Sequence, residues 1–208
     1  MATFKTTLQD GTQIEVKHED VAKYAEARGL DEIAAGRYSK LFAFKLFLHE
    51  TFDSLDPRFV LEELKSLEGQ PNGALNTKPP SEFSQAPLKG LWHKHFFSDL
   101  FVEQNIATQM TPKKLTEVVN RVADPARSSV ITKDMIRELV HEVTEGALLE
   151  RESQNKLTGE WIVFAKHSGQ NYYLTIAKHP AGRAAGDQAI FNEIESIAYE
   201  QFPFLNTP

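Results

Sequence analysis

The sequence predicts an α+β fold, mainly helical, with hairpins near its two ends that are candidates to join in one small antiparallel sheet packed by helices. Three observations carry this. Two stretches alternate apolar and polar residues around glycine turns, and several longer ones repeat apolar residues at helical spacing behind recognisable caps. The chain has 208 residues, 41% of them hydrophobic and 25% charged, which is an ordinary globular composition.

Phe4, Thr6 and Leu8 alternate with polar neighbours, Asp10-Gly11 suits a type I′ turn, and Ile14 and Val16 resume the alternation. Val21, Tyr24 and Ala25 then form the stripe of a short helix from Glu19 to Arg28, closed by Gly29. From an Asp31 cap to Leu55, the residues Leu41, Phe44, Leu48, Phe52 and Leu55 recur at helical spacing, which predicts one long central helix. Asp56-Pro57 opens a further helix whose apolar face is Phe59, Val60, Leu64 and Leu67, ending at Gly69.

Periodicity then disappears. Pro71, Pro79, Pro80 and Pro87 make residues 70–90 a loop or tether between a hairpin-plus-helices segment, 1–69, and a segment of helices, hairpin and final helix, 91–208; the whole reads as one compact domain. Trp92-His93-Lys94-His95-Phe96-Phe97 reads as a helix with His93 in its apolar stripe; a two-imidazole metal clamp would require the segment to be extended. Thr111-Pro112 caps a helix carrying Leu115, Val118, Val119 and Val122, and Thr132 opens one carrying Met135, Leu139, Val140 and Val143, ended or bent at Gly146.

The clearest strand signal lies at residues 160–167 and 172–179. Gly169 at the first position of a type II′ turn places Lys166 beside Tyr173, Phe164 beside Thr175 and Glu160 beside His179. Trp161, Val163, Ala165, Leu174 and Ile176 then line an apolar side, while Glu160, Lys166, Tyr173, Thr175 and His179 share the outward face. A glycine-containing loop leads to a last helix capped by Asp187, with Ile190, Phe191, Ile194 and Ile197 as its stripe.

Several function classes drop out at once. The absence of Cys removes disulfides, thiolate nucleophiles, zinc ribbons and iron–sulfur clusters. With 23 Lys and Arg against 29 Asp and Glu, the net charge of -6 has the wrong sign for broad duplex DNA binding, so any RNA contact is expected to be local. Lys45 and His49 interrupt the most apolar stretch, and the first residues lack a leader pattern, so a cytoplasmic protein with no membrane contact is expected. There is no Walker loop, G-x-S-x-G elbow, G-x-G-x-x-G or calcium loop.

The polar face of the C-terminal hairpin holds the residue types that metal-independent RNA cleavage uses: a base, a cation for phosphate and an acid for the leaving group. Its candidate catalytic residues fall in two groups about 20 Å apart along the strand. One is Lys166 and Tyr173 with His167 at the turn, and the other is His179, Glu160 and Arg183 at the far end. The leading expectation is a metal-independent acid–base nucleic-acid hydrolase without a cofactor. One alternative is a protein-interaction module docking a partner through residues 70–89. Another is a hydrolase with a divalent metal held by His49, Asp53, His141 and Glu145, since each His stands four residues before an acid, on one helical face.

Overall fold

Trp161-Ile162-Val163-Phe164-Ala165 is an unbroken apolar run, the mark of a strand covered on both faces, and it becomes the centre of the larger of two units. The computed structural model describes residues 2–8, 10–73, 77–97, 102–154, 160–178 and 183–206. The fold is α+β and mainly helical, as expected. One unit comprises Met1–Ala74, Pro79–Phe96 and Gly159–Pro208; the other comprises Leu75–Lys78 and Phe97–Thr158.

In the first unit, β1 (Thr3–Thr7) and β2 (Gln13–Lys17) form the N-terminal hairpin, followed by helices α1 (His18–Ala27), α2 (Leu30–Ala34), α3 (Lys40–Phe52) and α4 (Pro57–Leu67). Strands β3 (Ser81–Glu82), β4 (Trp92–His95), β5 (Trp161–His167) and β6 (Gln170–Ala177) make a four-stranded antiparallel sheet in that order. Helix α9 (Arg183–Gln201) and a 3-10 turn (Pro203–Asn206) complete the unit. One sheet face carries Ile162, Phe164, Tyr173 and Ile176, packed with Leu30, Phe42, Leu46 and Leu64 of the N-terminal helices. The other carries Trp161, Val163, Ala165 and Leu174, packed with Ile190, Ile194 and Ala198 of α9 and with Leu88 and Leu91.

In the second unit, α5 (Val102–Gln109), α6 (Pro112–Val122), α7 (Lys133–Val143) and α8 (Glu145–Ser153) follow one another. Its core is small: Val118, Val122 and Met135 are buried, with Leu139 and Val143 packed against them. Ion pairs join α6 to α7, Arg121 with Glu142 at 3.0 Å, and the turn between them to α7, Arg127 with Glu138 at 2.8 Å. The caps are those the sequence indicates, the Thr111 and Thr132 hydroxyls accepting from the N–H groups of Lys114 and Met135.

Four expectations are corrected. The two hairpins do not share a sheet: β1–β2 remains a two-stranded pair, and the place beside β5 is taken by β4. Phe4 of β1 stacks on Phe44 of α3 at 4.3 Å, so the N-terminal hairpin packs on a helix. The long central helix is broken at Gly36, whose φ of +67° lies in the left-handed region, and restarts at Ser39, which caps Phe42 N–H.

Trp92–His95 is a strand, paired residue for residue with Phe164–Trp161, so sheet pairing overrides its helical stripe. Finally, the C-terminal turn has Ser168 and Gly169 at its centre, with φ of +51° and +77°, the two positive values of a type I′ turn. The register is therefore Lys166 opposite Asn171 and Phe164 opposite Tyr173, and a bulge beyond Phe164 puts Val163 opposite Thr175. None of the described helices is long and apolar enough to cross a membrane.

Candidate acid–base site

The two ends of the β5–β6 hairpin hold different chemistry. At the turn end, Lys166 lies over the Trp92 ring, 3.4 Å from its centroid, and His167 stacks on Phe204 at 4.2 Å. Tyr173 is fully buried, because the face expected to be outward is covered by the N-terminal helices. Its hydroxyl donates to Glu68 Oε1 at 2.6 Å. Arg37 Nη2 donates to Glu68 Oε2 at 2.6 Å, and Asn171 Nδ2 to Glu68 Oε1 at 3.2 Å. Burial, reinforced by the bond to Glu68, pushes the Tyr173 hydroxyl well above its ordinary range. Lys166, Tyr173 and His167 thus each have a structural partner, and they do not converge on a reacting centre.

At the open end, His95, Trp161 and Ala177 sit in one row across β4, β5 and β6. Residues alternate across a strand, so Lys94 of β4 projects to the face packed by the N-terminal helices, where it meets the buried Glu63 at 3.3 Å, while His93 and His95 share the other face, packed by α9, with Trp161. The two imidazoles lie 5.7 Å apart, nearly perpendicular at 78°. His93 contacts Phe83 at 4.5 Å and Trp161 at 4.9 Å. Its Nε2 shares a hydrogen bond of 3.2 Å with the exposed Ser81 hydroxyl on the neighbouring strand. The Trp161 indole N–H donates to His95 Nε2 at 3.3 Å, which places the ring hydrogen of neutral His95 on Nδ1. His93 is half-buried and held against a hydroxyl, whereas His95 is buried, with its ring hydrogen fixed on Nδ1.

On the reverse side of the same end, Glu160 is buried and its carboxylate lies 3.8 Å from His49 Nε2. His49 Nδ1 bonds Asp53 Oδ2 at 2.8 Å, and Lys178 Nζ lies 3.5 Å from that oxygen. Burial pushes the Glu160 carboxyl up, opposed by the charges of His49 and Lys178. His179 lies outside the described residues, as does the side chain of Arg183, so of the far-end group only Glu160 has a described position. It faces α3, away from His93 and His95.

His141 Nδ1 bonds Glu145 Oε2 at 3.0 Å on the second unit, and both side chains are exposed. It is the one-turn spacing that brings this pair together, as it does His49 and Asp53. Among the described residues, no group of three or more His, Asp or Glu side chains is placed to hold a metal ion. Of residues 70–89, those from Pro79 onward belong to the sheet-bearing unit, where Leu88 is fully buried and Phe83 N–H bonds Leu91 O at 2.8 Å.

The His93/His95 pair was hidden from sequence reasoning by the helical reading of residues 92–101. The signal that could have found it is the alternation itself, since Trp-His-Lys-His between Gly90 and Phe96 puts both imidazoles on one side of an extended segment. Compared with protein-family models, with curated proteins and with solved structures, the chain matches none.

Proposed function

We propose that the sheet face bearing His93 and His95 is the centre of a metal-independent acid–base nucleic-acid hydrolase acting on single-stranded RNA. The observation that carries this reading is the pair of imidazoles 5.7 Å apart on one face, walled by Phe83 and Trp161. Two such groups can serve one phosphodiester, and the half-buried Phe83 ring offers a stacking surface that any base can use. The net charge of -6 fits a short, local contact with a flexible strand better than a broad grip on a duplex.

In the proposed reaction His93 Nε2 takes the proton of the ribose 2′-hydroxyl. The O2′–P bond forms and the P–O5′ bond breaks while His95 Nδ1–H donates a hydrogen bond to the departing 5′ oxygen, which takes the proton from His93 through water. The products are a 2′,3′-cyclic phosphate and a free 5′-hydroxyl, and both imidazoles end neutral. Trp161 is a positioning residue here, holding His95 in the tautomer that donates.

The test is cleavage of a single-stranded RNA oligonucleotide in excess EDTA, with the DNA of the same sequence alongside. RNA should be cut to cyclic-phosphate ends and DNA should not. His93→Asn and His95→Asn should each slow the reaction by about 100-fold or more. Intact RNA with the wild-type protein, or undiminished cleavage by both variants, rejects the reading.

A further inference from the structure

We infer that the cleft between α3, α9 and the end of β6 binds a short unblocked peptide, three or four residues long, with its ammonium end at Asp53 and its carboxylate end at Lys45. The cleft has a volume of about 580 Å³, within the range of roughly 300–1,000 Å³ typical of small-ligand sites. Its floor is apolar, formed by Leu48 and Phe52 of α3, Ile176 of β6 and Ile190 of α9. Lys45 and His49 of α3 and Asp53, its C-cap, stand one turn apart and all line it, so a cation and a carboxylate are displayed two turns apart.

The spacing selects the length of the ligand. Eight residues of helix rise about 12 Å between Lys45 and Asp53. An extended peptide covers about 3.3–3.6 Å per residue, so three or four residues bring its terminal charges to the two ends. An isolated amino acid is too short to reach both.

Burial selects the direction. Each α3 charge has a partner across the cleft, Glu193 at 2.8 Å from Lys45 and Lys178 at 3.5 Å from Asp53. The α3 member is the better buried of each pair: Lys45 at 23% side-chain exposure against 47% for Glu193, and Asp53 at 32% against 50% for Lys178. Asp53 is also held by His49 Nδ1 at 2.8 Å. Glu193 and Lys178 are thus the members free to swing toward solvent, leaving the anchored lysine and aspartate to meet the ligand's carboxylate and ammonium. An apolar central side chain would then lie against Phe52 and Ile190.

Isothermal titration of the full-length protein with the tripeptide Ala-Leu-Ala tests this, beside its N-acetylated and C-amidated forms. Saturable binding is expected for the unblocked peptide, weakened about fivefold or more by blocking either end. Lys45→Met should erase the difference between free acid and amide, and Asp53→Asn that between free amine and acetyl. His93→Asn, which does not line the cleft, should leave all three affinities unchanged. No saturable binding, or equal binding of blocked and unblocked peptides, overturns the inference. These arms use the wild-type protein, so they decide even if a variant fails to fold.

Discussion

Two glutamates, the half-buried Glu68 and the buried Glu160, sit at opposite ends of the same hairpin and are driven in opposite directions. Burial works against the charge of Glu68, beneath the turn end, but hydrogen bonds from Arg37, Tyr173 and Asn171 outweigh it and hold that carboxyl below its ordinary range. Glu160, at the open end, is pushed above that range by burial, with His49 at 3.8 Å as its nearest charged neighbour. The difference lies in the donors supplied. A carboxylate given three donors becomes part of the scaffold, whereas one left short of them keeps an affinity for protons. The turn end is accordingly a structural knot, and the ionisable groups with chemistry to spare collect at the open end.

The largest effect expected from breaking this contrast comes from Arg37. Arg37→Met leaves the half-buried Glu68 without its cation, and the loss of stability should be about 2 kcal/mol in denaturant unfolding at neutral pH. A loss under a few tenths of that would mean the knot contributes little.

Glu160→Gln sharpens the contrast through pH. A carboxyl whose folded-state pKa is raised makes the folded protein bind more protons than the unfolded chain. Its contribution is therefore present below the ordinary carboxylate range and is lost as pH rises through the raised value. The variant should melt above the wild type at neutral pH, with the gap closing as the solution is acidified into the carboxylate range. Glu68 has the opposite sign, its contribution being present at neutral pH and lost as pH falls through its lowered value. A Glu160→Gln gap that instead widens in acid would reverse the assignment. The smallest effect belongs to Lys166, which is exposed over Trp92. Lys166→Ala should cost about 0.5 kcal/mol and leave RNA cleavage unaltered.

Local signals made much of this molecule legible. The caps at Asp56, Thr111 and Thr132 each receive the backbone N–H that their residue type invites, because a cap depends only on residues within one turn. The C-terminal hairpin was legible as well, though its turn was placed one residue too far along. Ser168 takes a positive φ beside Gly169, whereas a type II′ turn needs one at Gly169 alone. The outward face assigned to Tyr173 and Thr175 failed for a different reason. The apolar residues Ile162 and Phe164 on that face were already the sign of a second covering layer, supplied by helices more than a hundred residues earlier in the chain.

The sequence by itself therefore determined the class of fold, the helix starts capped by Asp56, Thr111 and Thr132 (though not those read at Asp31 and Asp187, which lie inside α2 and α9), the two hairpins and the one-turn pairs His49/Asp53 and His141/Glu145, since each follows from interactions among near neighbours. Only the tertiary structure decided that Trp92–His95 is a strand, that Glu160 looks toward His49 and that His93 and His95 share a face with Trp161. Those outcomes rest on pairing and burial between residues tens to a hundred positions apart, and pattern within a short window carries no record of which distant surface will arrive to satisfy it.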